Sequence, residues 1–355
     1  MNDTFINGPV NIIRLEGKIN NFKKVIYLFG DIHLSICRSQ NRCESENRID
    51  IDQFLSKTFS ENKKIQYDLF IEAPKTQLLM KCNNSMKNYI SNMRNFIRKN
   101  FIISKNNVIN SPNIKNVRFH YFNIRNYFDD FFIIKDRIDS YIHNSLEWYY
   151  DIEVNIKILL NELDQLKYEL NKIIILLESK NNKEINKITN KKNYKNIKIY
   201  KIVLEKYNII LENIKNINID KHKYEITKEL DKHIKSNNIT NYEFSFTIFK
   251  QINELNKFLE NEFSKLIDLY LIRRFLDKEY VSISLVYTGY YHFADIIHIL
   301  MNKFNFKITH STFNNDDLIK VNKIVKNNNS EFINFLLKNI SVNLYVTQCS
   351  NFKNF

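Results

Sequence analysis

The chain has 355 residues, of which 44% are hydrophobic and 14% aromatic, and its formal net charge at pH 7 is +14. That apolar content excludes wholesale disorder, and four glycines with three prolines are too few turn formers for an all-β sandwich, which leaves long helices mixed with buried strands. The positive balance invites a nucleic-acid reading. The lysines are instead scattered over polar helix faces and an Asn-rich segment without an arginine–aromatic cluster, so nucleic acid is not an expected partner.

In chain order, residues 24–30 (KVIYLFG) form a continuous apolar run ending in glycine, the pattern of a strand buried on both faces. Ile51, Phe54, Leu55 and Phe59 then share one helical face, and 66–74 (QYDLFIEAP) reads as a second buried strand stopped by Pro74. Strand, helix and strand make a βαβ unit. Further strands are expected at 117–122, 281–287, 306–311 and 341–346, with a helix over FADIIHILMNKF between the second and third of these.

The middle of the chain has a different period. Ile156, Leu159, Leu163, Leu166, Leu170, Ile173 and Leu177 alternate steps of three and four, a coiled-coil seam. Residues 178–199 are Lys/Asn-rich, after which Val203, Tyr207, Ile210, Ile214 and Ile217 resume the seam, as in an antiparallel helical hairpin. A long helix over 243–277 carries Ile248, Ile252, Leu255, Leu259, Phe263, Leu266 and Tyr270 back to the sheet. The expected fold is therefore α/β: a mostly parallel central sheet flanked by helices, with a long helical, coiled-coil-like hairpin inserted. Its parts are 1–135 (first half of the α/β domain), 136–242 (insertion) and 243–355 (second half).

In an open α/β sheet, ligands bind outside the carboxyl ends of the strands. The first strand delivers Gly30-Asp31-Ile32-His33, the second Glu72, the third Asn123-Ile124-Arg125, and the fourth Thr288-Gly289-Tyr290-Tyr291-His292. Two histidines and a carboxylate are the usual donors of a catalytic divalent metal with one position left for water, and Asp31 adds a hard oxygen ligand. His33, Glu72 and His292, with Asp31, are the expected metal ligands. Asp295, one turn after His292, is a candidate to orient it. His120, His298 and His310 read as core or edge residues, and Tyr290 and Tyr291 as packing aromatics.

This constellation resembles the TraB/Tiki group, within the wider set of erythromycin-esterase-like and ChaN-like proteins. The resemblance rests on the two Gly-x-x-His motifs, Gly30–His33 and Gly289–His292, and on the strand-ending Glu72, and covers about 24–75 and 265–312. It implies a hydrolase, a peptidase in the first instance, that uses manganese, cobalt or zinc on a peptide or small ester substrate. It also implies an arginine shortly before the second motif, a role that Arg273 and Arg274 in IRRFLDKEY fit. Arg274 or Arg125 would then steady the substrate or a developing anion.

Two alternatives stand beside it. LFGDIHLS also resembles the opening motif of calcineurin-like metallophosphoesterases, although the Gly-Asp-x-x-Asp, Gly-Asn-His-Asp/Glu and Gly-His-x-His motifs of that family do not occur. The other is an inactive scaffold that engages a protein partner through the helical hairpin. Cys37, Cys43, Cys82 and Cys349 have no zinc-ribbon spacing and read as free thiols. Neither a secretory leader nor an 18-residue apolar span is evident, so the expected setting is intracellular, host cytoplasm or virion, with no membrane partner. The excess of Lys, Asn and Ile is what AT-rich coding yields, as in giant DNA viruses.

Overall fold

A computed structural model describes residues 5–32, 47–73, 88–103, 109–143, 152–190, 197–235, 240–312, 322–323 and 349–351. His33, Cys37, Cys43, Cys82 and the strand expected at 341–346 lie outside the described residues. The elements begin with β1 (Phe5–Asn7), β2 (Asn11–Ile19), β3 (Phe22–Asp31), β4 (Arg48–Asp50), α1 (Ile51–Glu61), β5 (Tyr67–Ile71) and α2 (Tyr89–Asn100). They continue with β6 (Ile102–Ile103), β7 (Ile109–Asn110), β8 (Val117–Tyr121), α3 (Asp129–His143), α4 (Ile152–Asn190), α5 (Ile197–Lys215) and α6 (Ile219–Lys235). The last are α7 (Asn241–Asp277), β9 (Ile283–Gly289), α8 (Tyr290–Phe304), β10 (Lys307–Ser311) and β11 (Cys349–Asn351). The chain divides into two compact units, Met1–Asn123 with Tyr270–Phe355, and Ile124–Leu269.

The first unit is built on a six-stranded sheet in the order β10-β2-β3-β9-β5-β8. Strands β3, β9, β5 and β8 run parallel, whereas β2 is antiparallel to both β3 and β10. The parallel strands are apolar runs because helices cover both faces. On one face Phe29, Leu69, Ile71, Leu285 and Tyr287 pack with Ile51, Leu55 and Phe59 of α1 and with Tyr89, Met93, Phe96 and Ile97 of α2. On the other, Phe293 of α8 lies against Gly30, where an added Cβ would come to 3.0 Å from its ring. Phe306 there meets Phe275, near the end of α7, at 5.9 Å between ring centroids. Strand β9, late in the sequence, sits between β3 and β5. It brings the two halves of the sheet together.

Strand β2 is absent from the sequence expectation, which starts the first strand at residue 24. The signal was present. Asn20 and Asn21 form the two-residue link of a hairpin whose first pair is Ile19 with Phe22, and their φ values of 47° and 70° are those of a type I′ turn, which Asn tolerates. The helix α2 and the three-stranded sheet β11-β1-β4 are likewise additions to the expected set.

The second unit consists of helices. The seam residues Ile156 to Leu177 of α4 are all buried, none more than 4% exposed. Opposite them the return arm is broken rather than continuous: α5 ends at Lys215, Asn218 accepts from the Lys221 amide through its side chain (2.9 Å), and α6 continues the path. Pairs Lys167–Asp220 and Lys223–Asp164 show α6 antiparallel to α4, and α5 meets α4 through the Tyr207 hydroxyl to Leu177 carbonyl bond (2.9 Å) and the Lys215–Glu178 pair. Helix α3 lies along α4 through Arg137 to Glu162 and Gln165. It also meets α7 through Lys135–Glu260 and through Phe131 and Phe132 on Phe263. The expected two-helix hairpin over 136–242 is thus part of a larger bundle. Phe263 of α7 packs on Phe131 and Phe132 of α3, and the compact unit spans Ile124–Leu269. Among the described residues, no helix is long and apolar enough to cross a membrane.

The hairpin gives a direct test. Replacing Asn21 by Val puts a β-branched residue at positive φ and is expected to cost about 1–2 kcal/mol, while Asn21→Gly holds or raises stability. Urea midpoints of the two variants against the parent measure both effects.

Candidate functional site

The carboxyl ends of β3, β9 and β5 lie side by side, with Asp31 paired to Gly289 across the β3–β9 ladder and the Glu72 amide donating to the Tyr287 carbonyl (3.0 Å). Gly289 is the N-cap of α8, so the Gly-x-x-His spacing puts His292 in the first helical turn. Helical side chains lean toward the N-terminus, which directs the imidazole back over the cap. There it meets Glu72. The Nε2 atom of His292 lies 3.1 Å from Glu72 Oε1, and the two side chains are only 5% and 9% exposed. The other carboxylate oxygen, Oε2, accepts from the Gly289 amide at 2.7 Å and from the Thr288 hydroxyl at 3.0 Å. Glu72 therefore caps α8 from a different strand, where a negative charge is favoured by the exposed N–H groups and the helix dipole.

Asp31 is also buried, 1% exposed, but its carboxylate turns the other way. It shares a face with Phe29, toward α1 and α2, and accepts from the Tyr287 hydroxyl at 2.7 Å. Burial and the Asp31 charge push the Tyr287 pKa well above its ordinary value, which keeps the phenol a donor. Glu72 and His292 stand with Thr288 on the opposite face. Of the four expected ligands, the structure brings together Glu72 and His292, sets Asp31 with Tyr287, and leaves His33 outside the described residues. Among the described residues no group of three His, Cys, Asp or Glu side chains could hold a metal ion. The pair itself fits adjacent donors: two ligand atoms each about 2.0–2.2 Å from one ion stand roughly 3 Å apart, as Nε2 and Oε1 do.

The other expected residues fall elsewhere. The Arg125 guanidinium lies in the helical unit, its carbon 5.7 Å from the Phe132 ring centroid. Glu72 meets His292, and Asp295 is half-buried one turn later on α8. His298 contacts Asn302 on its own helix, and His310 contacts Arg14 at 3.0 Å in the β2–β10 pair. Tyr291 is 80% exposed, and Tyr290 packs on Phe293 as expected, although its buried hydroxyl has no partner among the described residues.

Sequence reasoning missed a second polar group on the Glu72 face of the sheet. Asp68, two steps of the strand alternation before Glu72, is fully buried and accepts both Nε and Nη2 of Arg118, at 2.8 and 2.7 Å. Its Oδ1 also lies 2.8 Å from His120 Nε2, and His120 Nδ1 lies 3.3 Å from Arg274 Nη2. The signal for this group was the alternation of Arg118 and His120 on an otherwise apolar strand, which is costly unless partners are buried with them. Nearby, buried Lys24 donates to the carbonyls of Phe275, Lys278 and Val281 at 2.6–2.9 Å, collecting the last turn of α7 and the chain beyond it. Burial pulls its pKa down to about 8, against the attraction of Asp68, Asp277 and Glu279.

The acid limit follows from two groups. Burial draws the His120 pKa below 6.5, with the Arg274 charge adding to this and Asp68 opposing it. Burial would raise Asp68, but its bonds from Arg118 and His120 together outweigh that and hold the carboxyl below its ordinary value. Both folded-state values are depressed, so their stabilisation is present above the unfolded values and is lost as pH falls through the folded ones. Thermal midpoints are expected to drop on acidification below pH 6.5, less steeply in His120→Asn than in the parent.

The chain matches a family of unknown function, DUF5847, over residues 4–202 and 159–355. It is 30% identical over 427 aligned positions to "Uncharacterized protein R161" of Acanthamoeba polyphaga mimivirus, covering 99% of this chain and 96% of the relative. It is also 28% identical to "Uncharacterized protein R706" of the same virus, covering 88% and 87%. No solved structure matches significantly.

Proposed function

The chain belongs to the family of unknown function DUF5847, which has viral members, and on that premise we propose that it is a metal-dependent hydrolase of the kind that its TraB/Tiki-like motifs imply. The observation that carries the reading is the 3.1 Å contact between His292 and Glu72, formed between a Gly-x-x-His motif and a strand-ending glutamate at the carboxyl edge of parallel strands. His292 and Glu72 would hold a divalent ion, with His33, two residues after Asp31, as the third donor. Manganese, cobalt and zinc suit a mixed imidazole and carboxylate set. Bound there, such an ion would supply Lewis acidity and make water a better nucleophile near neutral pH.

The residues of the chain have separate tasks. Thr288 and the Gly289 amide hold one oxygen of Glu72, which directs the other at His292. Burial of the pair keeps water from competing for these contacts and strengthens them. Peptide-bond cleavage is the implied reaction, with small esters as the substrate alternative in the wider group. The scaffold reading is favoured by one observation, that no metal-holding trio stands among the described residues; hydrolysis accordingly requires His33.

Metal analysis of the purified full chain after repletion with Mn, Co or Zn separates the two. The expected outcome is near-stoichiometric metal in the parent, with loss in His33→Ala, His292→Ala and Glu72→Gln, and loss of peptide or ester cleavage in the same variants. A parent chain that retains no metal sinks the hydrolase reading and leaves the scaffold.

A further inference from the structure

Arg274 is half-buried, and its interaction among the described residues is with a neutral partner, the Nδ1 atom of His120 at 3.3 Å. The neutrality follows from the other end of the ring. Asp68 is ion-paired to Arg118, so its oxygen acts as an acceptor and the His120 Nε2 opposite it carries the proton. Nδ1 is then left as an acceptor, and the guanidinium is its donor. The ring is fixed in turn by stacking on Phe70, 4.6 Å between centroids.

The charges here do not balance locally. Asp68 faces two guanidinium groups across His120 and is bound bidentately by one of them, Arg118, which also donates to the Tyr280 carbonyl and stacks over its ring. Among the described residues no carboxylate is ion-paired with Arg274. One of its five N–H donors is directed at His120, which among the described residues leaves four and a complete bidentate edge. A guanidinium held in place and unmatched by an anion is the arrangement that recognises one from a ligand.

We propose that Arg274 is the receptor for a carboxylate or phosphate group of the ligand, and that Asp68 and His120 are positioning residues that hold it there. The placement deepens the hydrolase reading and rests on it for the substrate class. His120 is in register with Phe70, which is two residues before Glu72 on the same face of β5, a strand repeat of about 7 Å. The substrate is therefore anionic, carrying its charge more than one strand repeat from the bond that the Glu72–His292 pair addresses.

The test is titration of the full chain with inorganic phosphate and, separately, with acetate, following the backbone amide resonance of residue 274, which parent and variants share, while metal content is measured on the same samples. A saturable shift is expected in the parent. Affinity should fall about tenfold or more in Arg274→Gln, the worth of a charge-assisted contact, with metal content unchanged. His120→Gln, whose amide can donate to Asp68 and accept from Arg274, should retain binding, whereas His120→Leu, with its fold checked by circular dichroism, should lose it. The stronger of the two probes identifies the anion as phosphate or carboxylate. Equal binding by Arg274→Gln and the parent, or by His120→Leu and His120→Gln, overturns the proposal. Anion binding without metal in the parent would retain the receptor and reject the hydrolase; metal without anion binding would do the reverse.

Discussion

One carboxylate holds the centre of the sheet unit together. Glu72 leaves the end of β5 and is met by the Gly289 amide, the Thr288 hydroxyl and the His292 imidazole. Three pieces of the fold, β5, β9 and α8, converge on two oxygens. A buried carboxylate is expensive unless its acceptor sites are filled, so this group fixes where α8 begins. The same junction explains Gly30. The helix approaches β3 so closely that a side chain there would press on Phe293, which ties the glycine of the first motif to the residue beside the histidine of the second.

The two faces of the sheet divide the polar chemistry. Strand alternation sends Asp31 toward α1 and α2, where Tyr287 engages it, and sends Asp68 and Glu72 toward the other side. On that side there are two levels. Glu72 and His292 stand at the carboxyl edge, and the Asp68, Arg118, His120 and Arg274 network lies deeper along β5 and β8. Lys24 fastens the end of α7, the helix that supplies Arg274, by taking three carbonyls at once. The helical unit uses another principle, a heptad seam on α4 against helices that return with a break at 216–218.

The elements readable in the sequence were those whose own periodicity stated their environment. Apolar runs marked β3, β5 and β9 because parallel strands are covered on both sides, and steps of three and four marked α4 because a helical seam repeats so. Strand β2 was harder because it mixes Arg14, Glu16 and Lys18 with apolar residues, and its clue was the Asn20–Asn21 turn rather than its hydrophobicity. Helices α2 and α3 carry interrupted apolar stripes whose burial depends on neighbours distant in sequence.

By itself the sequence determined the fold class and the positions of Glu72 and His292 beyond the ends of two strands, since spacing and strand period are local properties; the structure starts α8 at Tyr290 and so puts His292 in its first turn. Only the tertiary structure decided the company of each residue. It put β9 between β3 and β5, so that Glu72 and His292 meet. It turned Asp31 to the opposite face, and it joined Asp68, His120 and Arg274 into one network. The reason is physical: alternation assigns a side chain to a face, but strand order and helix placement are set by packing among distant segments, and these decide which charges share a face and which are left to bind something else.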